Sequence, residues 1–372
     1  MNKLKKYRFS DLYEMSSGIS TTKDQAGHGF PFLSFGTVFK NYYIPDTLND
    51  LMDTNSEEQS TFSIKKGDIF VTRTSETPNE LAMSCVALKD YPKATFSGFL
   101  KRLRPKNEKI TYDKFMAFYL RSNYFRKVIT NNTIMTLRAS FNEDMFSFLE
   151  LYLPSYDLQV KIGDFLFDIE EKIRTNKKIN DNLQFQLITL YENMMCKANS
   201  NKIEGIYTTA NKVADIVTGK EDANFSIKNG KFKFFTCSNN PLACNEYAFD
   251  SSSILIAGNG DFNVKHYTGK FNAYQRTYVL TPNEDYFGLL YLSSLYQINS
   301  FKSGSAGSIV KFITKGDIEN IPVFIPNDSY YLKQYNNLII TQEKITIENE
   351  KLKELRGWLL PMLMNGQAII ED

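Results

Sequence analysis

The chain has 372 residues and a mass of 42.9 kDa, and its 42% hydrophobic content, 14% aromatic, fills the cores of two ordinary domains and excludes intrinsic disorder. No apolar run approaches the roughly 20 residues a bilayer requires, and the start MNKLKKYRFSDLYEM has no apolar segment like that of a signal peptide, which predicts a cytoplasmic protein without a membrane partner. Cys85, Cys196, Cys237 and Cys244 lack CxxC spacing and the only histidines are His28 and His266, so they read as reduced thiols with no metal site, and the net charge of +2 hides an uneven distribution taken up below.

In chain order, the first half opens on a β-rich body. GDIFVTRT (67–74) and ATFSGFLKRLRP (94–105) read as strands with apolar alternation or continuous apolar runs. A single helix is expected near Phe115 to Ile129, and a closing strand ends at Pro154. The segment 155–200 then has neither Pro nor Gly between Glu170 and Met195, and carries an apolar seam at Ile162, Leu166, Ile169, Ile173, Asn176, Asn180, Leu183, Leu187, Leu190 and Met194. Steps alternating four and three make a coiled-coil heptad, in which Asn176 and Asn180 trade stability for register.

The second half repeats the order. SSILIAGN answers GDIFVTRT, FNAYQRTYVLTP answers ATFSGFLKRLRP, a helix from Leu289 to Phe301 follows, and a closing strand ends at Pro326 before another long helix. The two long helices match at a constant offset of 172, pairing Leu166 with Leu338, Ile173 with Ile345, Leu183 with Leu355, Leu187 with Leu359 and Leu190 with Met362. The expected fold is α+β: two similar β-rich domains, 1–154 and 201–326, each followed by a long helix, 155–200 and 327–372. Antiparallel pairing of the helices would relate the halves by a pseudo-two-fold axis. Some 25 paired residues at about 1.5 Å each would then make a spacer of roughly 38 Å, close to one turn of duplex DNA.

Charge follows the same division. Residues 61–138 carry fifteen Lys/Arg against six Asp/Glu, net +9, and residues 223–315 carry nine against five, net +4, which leaves −11 for the remainder. Two basic bodies joined by acidic rods suit a long polyanion held at two places.

The segment LPSYDLQVKIGDFLFDIEEKIRTNKKINDNLQFQLITLYENMM resembles the central conserved region of the specificity subunit of type I restriction-modification systems, and LKELRGWLLPMLMNGQ resembles its C-terminal conserved region. GKFNAYQRTYVL looks like a strand of that family's second target recognition domain. The resemblance implies a non-catalytic subunit in which each recognition domain reads half of a bipartite double-stranded DNA target, the helices set the spacing, and two methylation subunits and the restriction-translocation subunits assemble around it. The residues agree, because no chemistry of their own is evident. There is no glycine-rich cofactor loop and no Asn-Pro-Pro-aromatic tetrad; SNNPL (238–242), AGNG (257–260) and the TGK at Thr218 read as turns, GSAG at Gly304 lacks the helix pair of a nucleic-acid clamp, and no cofactor is expected.

The DNA-contacting candidates follow from loop and strand position. Arg73, Thr74 and Ser75 follow a strand, where an arginine fork could bond guanine. Lys101, Arg102 and Arg104 lie on a strand whose alternate side chains face one way, suited to phosphates or to core-edge packing, and Arg138 and Ser140 lie in TLRAS. The second half offers Asn259, Asp261 and Lys265 in GNGDFNVKH, Tyr274, Gln275 and Arg276 in AYQRT, and Ser308 and Lys311 in GSIVK. The competing function is a coiled-coil scaffold that holds protein partners without DNA specificity.

Overall fold

A computed structural model describes residues 4–133, 138–260, 262–303 and 312–364, with the side chains of 300–303 left aside. The chain divides into two compact units, the first comprising Met1–Arg174 and Glu350–Asp372 and the second Thr175–Asn349.

In the first unit an antiparallel four-stranded sheet runs in the order Tyr13–Ser17, Leu100–Pro105, Ile69–Thr72 and Ser84–Val86. Every residue of Ile69–Thr72 is buried, because both faces of this sheet are covered. Ile69 and Val71 enter the core with Tyr13, Leu103, Phe115 and Phe118, whereas Phe70 enters a second core with Leu33, Cys85, Phe96 and Leu100. The period of two thus assigns alternate side chains to two cores. A three-stranded sheet orders Leu51–Met52, Ala26–Leu33 and Thr95–Phe96, and the closing strand Glu150–Leu153 pairs antiparallel with Lys5–Arg8.

The single helix expected at 115–129 is two, Asp113–Tyr119 and Asn123–Asn131. Ser122 makes the break. Its buried hydroxyl donates to the Tyr119 carbonyl at 2.6 Å and accepts from the Phe125 amide at 3.3 Å, so it ends one helix and N-caps the next.

The second unit holds a six-stranded sheet in the order Ala214–Thr218, Thr277–Pro282, Phe249–Ala257, Val264–Ala273, Phe232–Phe235 and Leu242–Cys244. Only the pairing of Phe232–Phe235 with Val264–Ala273 is parallel. Ile254, Ile256 and Leu280 pack with Leu289 and Leu290 of the helix Phe287–Ser303, while Leu255 and Val279 pack with Phe235 and Phe271 on the other face. The closing strand Pro322–Pro326 pairs with Gly205–Thr209, as its counterpart does in the first unit.

Two long helices, Tyr156–Asn199 and Tyr330–Met364, run antiparallel where they meet in each unit. In the first unit Glu170 pairs with Arg356, whose guanidinium also lies over the Tyr42 ring at 5.0 Å. In the second, the Asn176 amide donates to Glu348 at 2.7 Å and to the Asn349 side-chain oxygen at 3.0 Å, and Asn180 donates to Thr346 at 3.1 Å. Further along, Tyr335 packs against Met194, with Tyr191 beside it. The seam read from the sequence is the face that is covered: Ile162, Leu166, Ile169, Ile173, Asn176, Leu187 and Met194 are buried. Asn176 is the buried polar position that the heptad anticipated, and both its amide protons have acceptors.

Candidate nucleic-acid interface

At one end of each sheet, the strands hand over to loops held by a shared set of backbone hydrogen bonds. In the first unit Arg73 N donates to Phe99 O at 2.9 Å, Phe141 N to Arg73 O at 2.8 Å, Gly98 N to Ile19 O at 2.7 Å, Ser97 N to Leu33 O at 3.1 Å and Leu100 N to Ser97 O at 2.9 Å. In the second, Gly258 N donates to Arg276 O at 2.8 Å, Ile313 N to Gly258 O at 2.9 Å, Gln275 N to Glu221 O at 2.8 Å, Tyr274 N to Phe235 O at 2.9 Å and Thr277 N to Tyr274 O at 2.8 Å. One scaffold is therefore built twice. Arg73 corresponds to Gly258, Gly98 to Gln275, Phe99 to Arg276 and Phe141 to Ile313.

The scaffold also explains a glycine in each copy. A Cβ on Gly18 would sit 2.2 Å from the Ser97 carbonyl oxygen, and one on Gly219 would sit 2.1 Å from that of Ala273. The first sheet strand passes so close to the turn that no side chain fits there. The segment completing each rim leads into a short helix with its own cap, Asn142 accepting from Met145 N and Thr314 from Asp317 N.

Arg73 is exposed, and among the described residues its guanidinium has no hydrogen-bond or ion-pair partner, which leaves its fork of donors available. Thr74 and Ser75 are half-buried in a two-residue ladder opposite Ser140 and Ala139, and Ser75 Oγ accepts from Thr77 N. Ser140 is exposed, and the Arg138 guanidinium lies 3.2 Å from Glu76, both side chains in solvent. These residues gather at the rim of the first unit.

The strand cations are placed otherwise. Lys101 has a side chain only 12% exposed, donates to Ser17 Oγ at 2.9 Å and lies 3.8 Å from Glu143. Arg102 donates to the Ser63 carbonyl at 2.7 Å and lies over the Phe96 ring at 5.4 Å; burial, with Arg104 close by, holds its pKa below the usual arginine value. Arg104 forms a two-pronged pair with Asp68, at 2.7 and 2.6 Å, and the hydrogen bonds to that carboxylate raise its pKa. Each of the three is engaged by an acceptor of the protein itself, which favours core-edge packing over contact with phosphates. The basic excess of 61–138 is correspondingly overstated as a surface property: Arg121 and Arg126 also spend their donors on buried carbonyls, among them Ser84, Val38 and Ala82.

In the second unit Gln275 and Arg276 are exposed at the turn and Tyr274 is half-buried beside them. Asn259 is half-buried on the neighbouring loop. Lys265 is partly buried, donates to the Thr236 carbonyl at 3.1 Å, and has its pKa lowered to about 8 by that burial. Asp261, Ser308 and Lys311 lie outside the described residues.

Two rim residues escape sequence reasoning, Phe99 and Phe312. They are 67% and 72% exposed at the turn and at the segment before Ile313. The only sequence signal for the first is an aromatic directly after the turn glycine Gly98, and an aromatic in a β-rich sequence is ordinarily assigned to the core. Among the described residues no group of His, Cys, Asp and Glu is arranged to hold a metal ion, and no helix is long and apolar enough to cross a membrane.

The family model for the type I restriction modification DNA specificity domain matches residues 1–184 and 209–355. The EcoDI specificity subunit of Escherichia coli is 39% identical over 161 residues, a match that spans 41% of this chain and 36% of that protein. The MjaIX specificity subunit of Methanocaldococcus jannaschii is 22% identical over 416 residues, spanning 98% of this chain and 93% of that one. Among solved structures, the S subunit of a type I restriction-modification system from M. genitalium is similar over 100% of this chain and 97% of its own, at 17% identity and a TM-score of 0.64, which extends the likeness to the whole fold.

Proposed function

This chain belongs to the family of type I restriction modification DNA specificity domains, and from that membership we propose that it is the sequence-specificity subunit of a restriction-modification complex. In this reading domains 1–154 and 201–326 each read one half of a bipartite duplex target. The helices 155–200 and 327–372 set the gap between the halves and dock two methylation subunits, with restriction-translocation subunits joining for cleavage. The chain itself performs neither reaction, binds no cofactor and works in the cytoplasm.

The observation that carries the reading is the duplicated rim: one rigid hydrogen-bonded scaffold presents different side chains at equivalent positions, Arg73 against Gly258, Gly98 against Gln275 and Phe99 against Arg276. A constant frame with variable tips is what two readers of two different half-sites require. Exposed apolar side chains on the long helices, such as Phe165, Phe185, Ile347 and Trp358, support partner docking there.

Methylome sequencing of cells with and without this gene tests it. A split motif should vanish with the gene, and cells producing the methylation subunits alone should not restore it. Methylation unchanged by the deletion would leave the coiled-coil scaffold as the surviving function. Purified chain incubated with labelled S-adenosylmethionine and DNA should leave the DNA unlabelled, and label transfer without other subunits would refute the non-catalytic assignment.

A further inference from the structure

The turn that carries Phe99 is fixed on every side. Gly98 N is bonded to Ile19 O, Leu100 N to Ser97 O, Phe99 N to Ser97 Oγ at 3.3 Å, and Phe99 O accepts from Arg73 N. Its neighbours Phe96 and Leu100 are fully buried, yet the Phe99 ring remains 67% exposed on this rigid support. A phenylalanine left in water forgoes about 2 kcal/mol of burial. Around it the rim offers Arg73 and the hydroxyls of Thr74, Ser75 and Ser140, so the ring is an apolar group set among hydrogen-bonding ones.

The second unit repeats the combination with the corners exchanged. At the place of Phe99 stands Arg276, and Phe312, preceding Ile313, stands where the first unit has Ser140. Its ring is 72% exposed. Among the described residues each rim therefore presents one exposed phenylalanine and at least one exposed arginine, on different loops of a common frame. In the major groove, base edges offer hydrogen-bond donors and acceptors and a single kind of apolar group, the 5-methyl of thymine. An arginine that can bond guanine, beside a phenylalanine that can cover a methyl, suits such an edge.

We propose that Phe99 and Phe312 are specificity-determining residues that contact thymine 5-methyl groups, one in each half-site; this rests on the DNA-specificity reading above. The test uses the complex assembled with its methylation subunits and duplexes carrying the target identified from the methylome. Thymines are replaced one at a time by deoxyuridine, which deletes the methyl and keeps the hydrogen-bonding edge. In the half-site read by the first unit, one replacement should weaken binding about fourfold, the value of one buried methyl. Phe99→Ala should weaken binding to the thymine duplex at least as much and abolish the response to that deoxyuridine, while responses in the other half-site persist. Phe312→Ala should do the same in the opposite half-site. Circular dichroism and co-purification with the methylation subunits should be unchanged, since neither ring is part of a core.

The proposal is overturned if Phe99→Ala binds like wild type, or if it weakens binding while no deoxyuridine matters; the latter would assign the ring to insertion between base steps. It is also overturned if either variant alters both half-sites. Failure of the wild-type complex to prefer its target over random duplex would instead remove the underlying reading.

Discussion

Side chains that look alike in the sequence divide in the structure by what lies opposite them. Arg73 and Arg104 both fall in basic, strand-adjacent stretches, but Asp68 is fully buried at the turn facing Arg104, and no pattern in FLKRLRPK announces it. Removing Asp68 strands a partly buried guanidinium and the Lys65 amide that it also accepts from, so Asp68→Ala should cost about 3 kcal/mol, read as a lowered midpoint in chemical denaturation. Arg73→Ala should leave that midpoint within about 0.5 kcal/mol, yet lower the log-log salt slope of DNA binding by roughly one if the guanidinium meets a phosphate. Arg102→Ala should do the reverse, destabilising the fold with an unchanged slope; a reduced slope would return it to the interface. Lys265 supplies a prediction in pH. Its folded pKa, about 8, lies below the ordinary lysine value of 10.5, so between these the unfolded chain binds the extra proton and stability rises with pH. Below pH 8 the charged form is carried at a cost. Lys265→Met should therefore raise the thermal midpoint at pH 7, with the gain shrinking as pH passes from 8 toward 10.5. A gain independent of pH would assign the effect to packing.

Periodicity served long elements better than short ones. Heptad spacing identified the covered face of the first long helix from Ile162 to Met194, because a seam several turns long has few competing explanations. SNYFRKVIT continues the apolar rhythm and so hides the helix break at Ser122, because a serine becomes a cap only when its hydroxyl faces a free amide. The strand repeat GDIFVTRT against SSILIAGN matches residue for residue in the structure, down to Arg73 and Gly258 taking equivalent hydrogen bonds. Within the helix pair, Asn176 touches Glu348, its own counterpart in the repeat, a meeting that an antiparallel pair allows only near the midpoint of its two copies. A buried asparagine whose amide protons are both bonded at such a point fixes register at the expense of stability. Asn176→Leu should raise the thermal midpoint and admit alternative helix pairings, visible as higher oligomers in light scattering. A destabilised monomer would mean that the asparagine bonds hold the pair together instead.

For the whole molecule, the duplication is legible because it recurs in order, spacing and chemistry, whereas the side chains proposed to face DNA are only partly so. Charge counts cannot separate a cation bonded to carbonyls, such as Arg121, from one in solvent such as Arg276. The proposed role of the helices as a spacer has a test that depends on neither. Asn180 lies opposite Thr346, so one heptad inserted after Asn180 and another before Thr346 lengthens both strands of the pair at one level. A repeat of 3.5 residues per turn keeps the seam on its face, and seven residues add about 10 Å at about 1.5 Å each. Duplex DNA rises about 3.4 Å per base pair, so the unspecified gap between half-sites should grow by roughly three pairs while the bases read on each side stay the same. Three added pairs also rotate one half-site by about 100° around the duplex at about 10 to 10.5 pairs per turn, and the twisting needed to comply should reduce affinity. Methylome sequencing of cells carrying the lengthened chain would display the motif. A gap of unchanged length, or new half-site bases at the old spacing, would show that something other than these helices sets the distance.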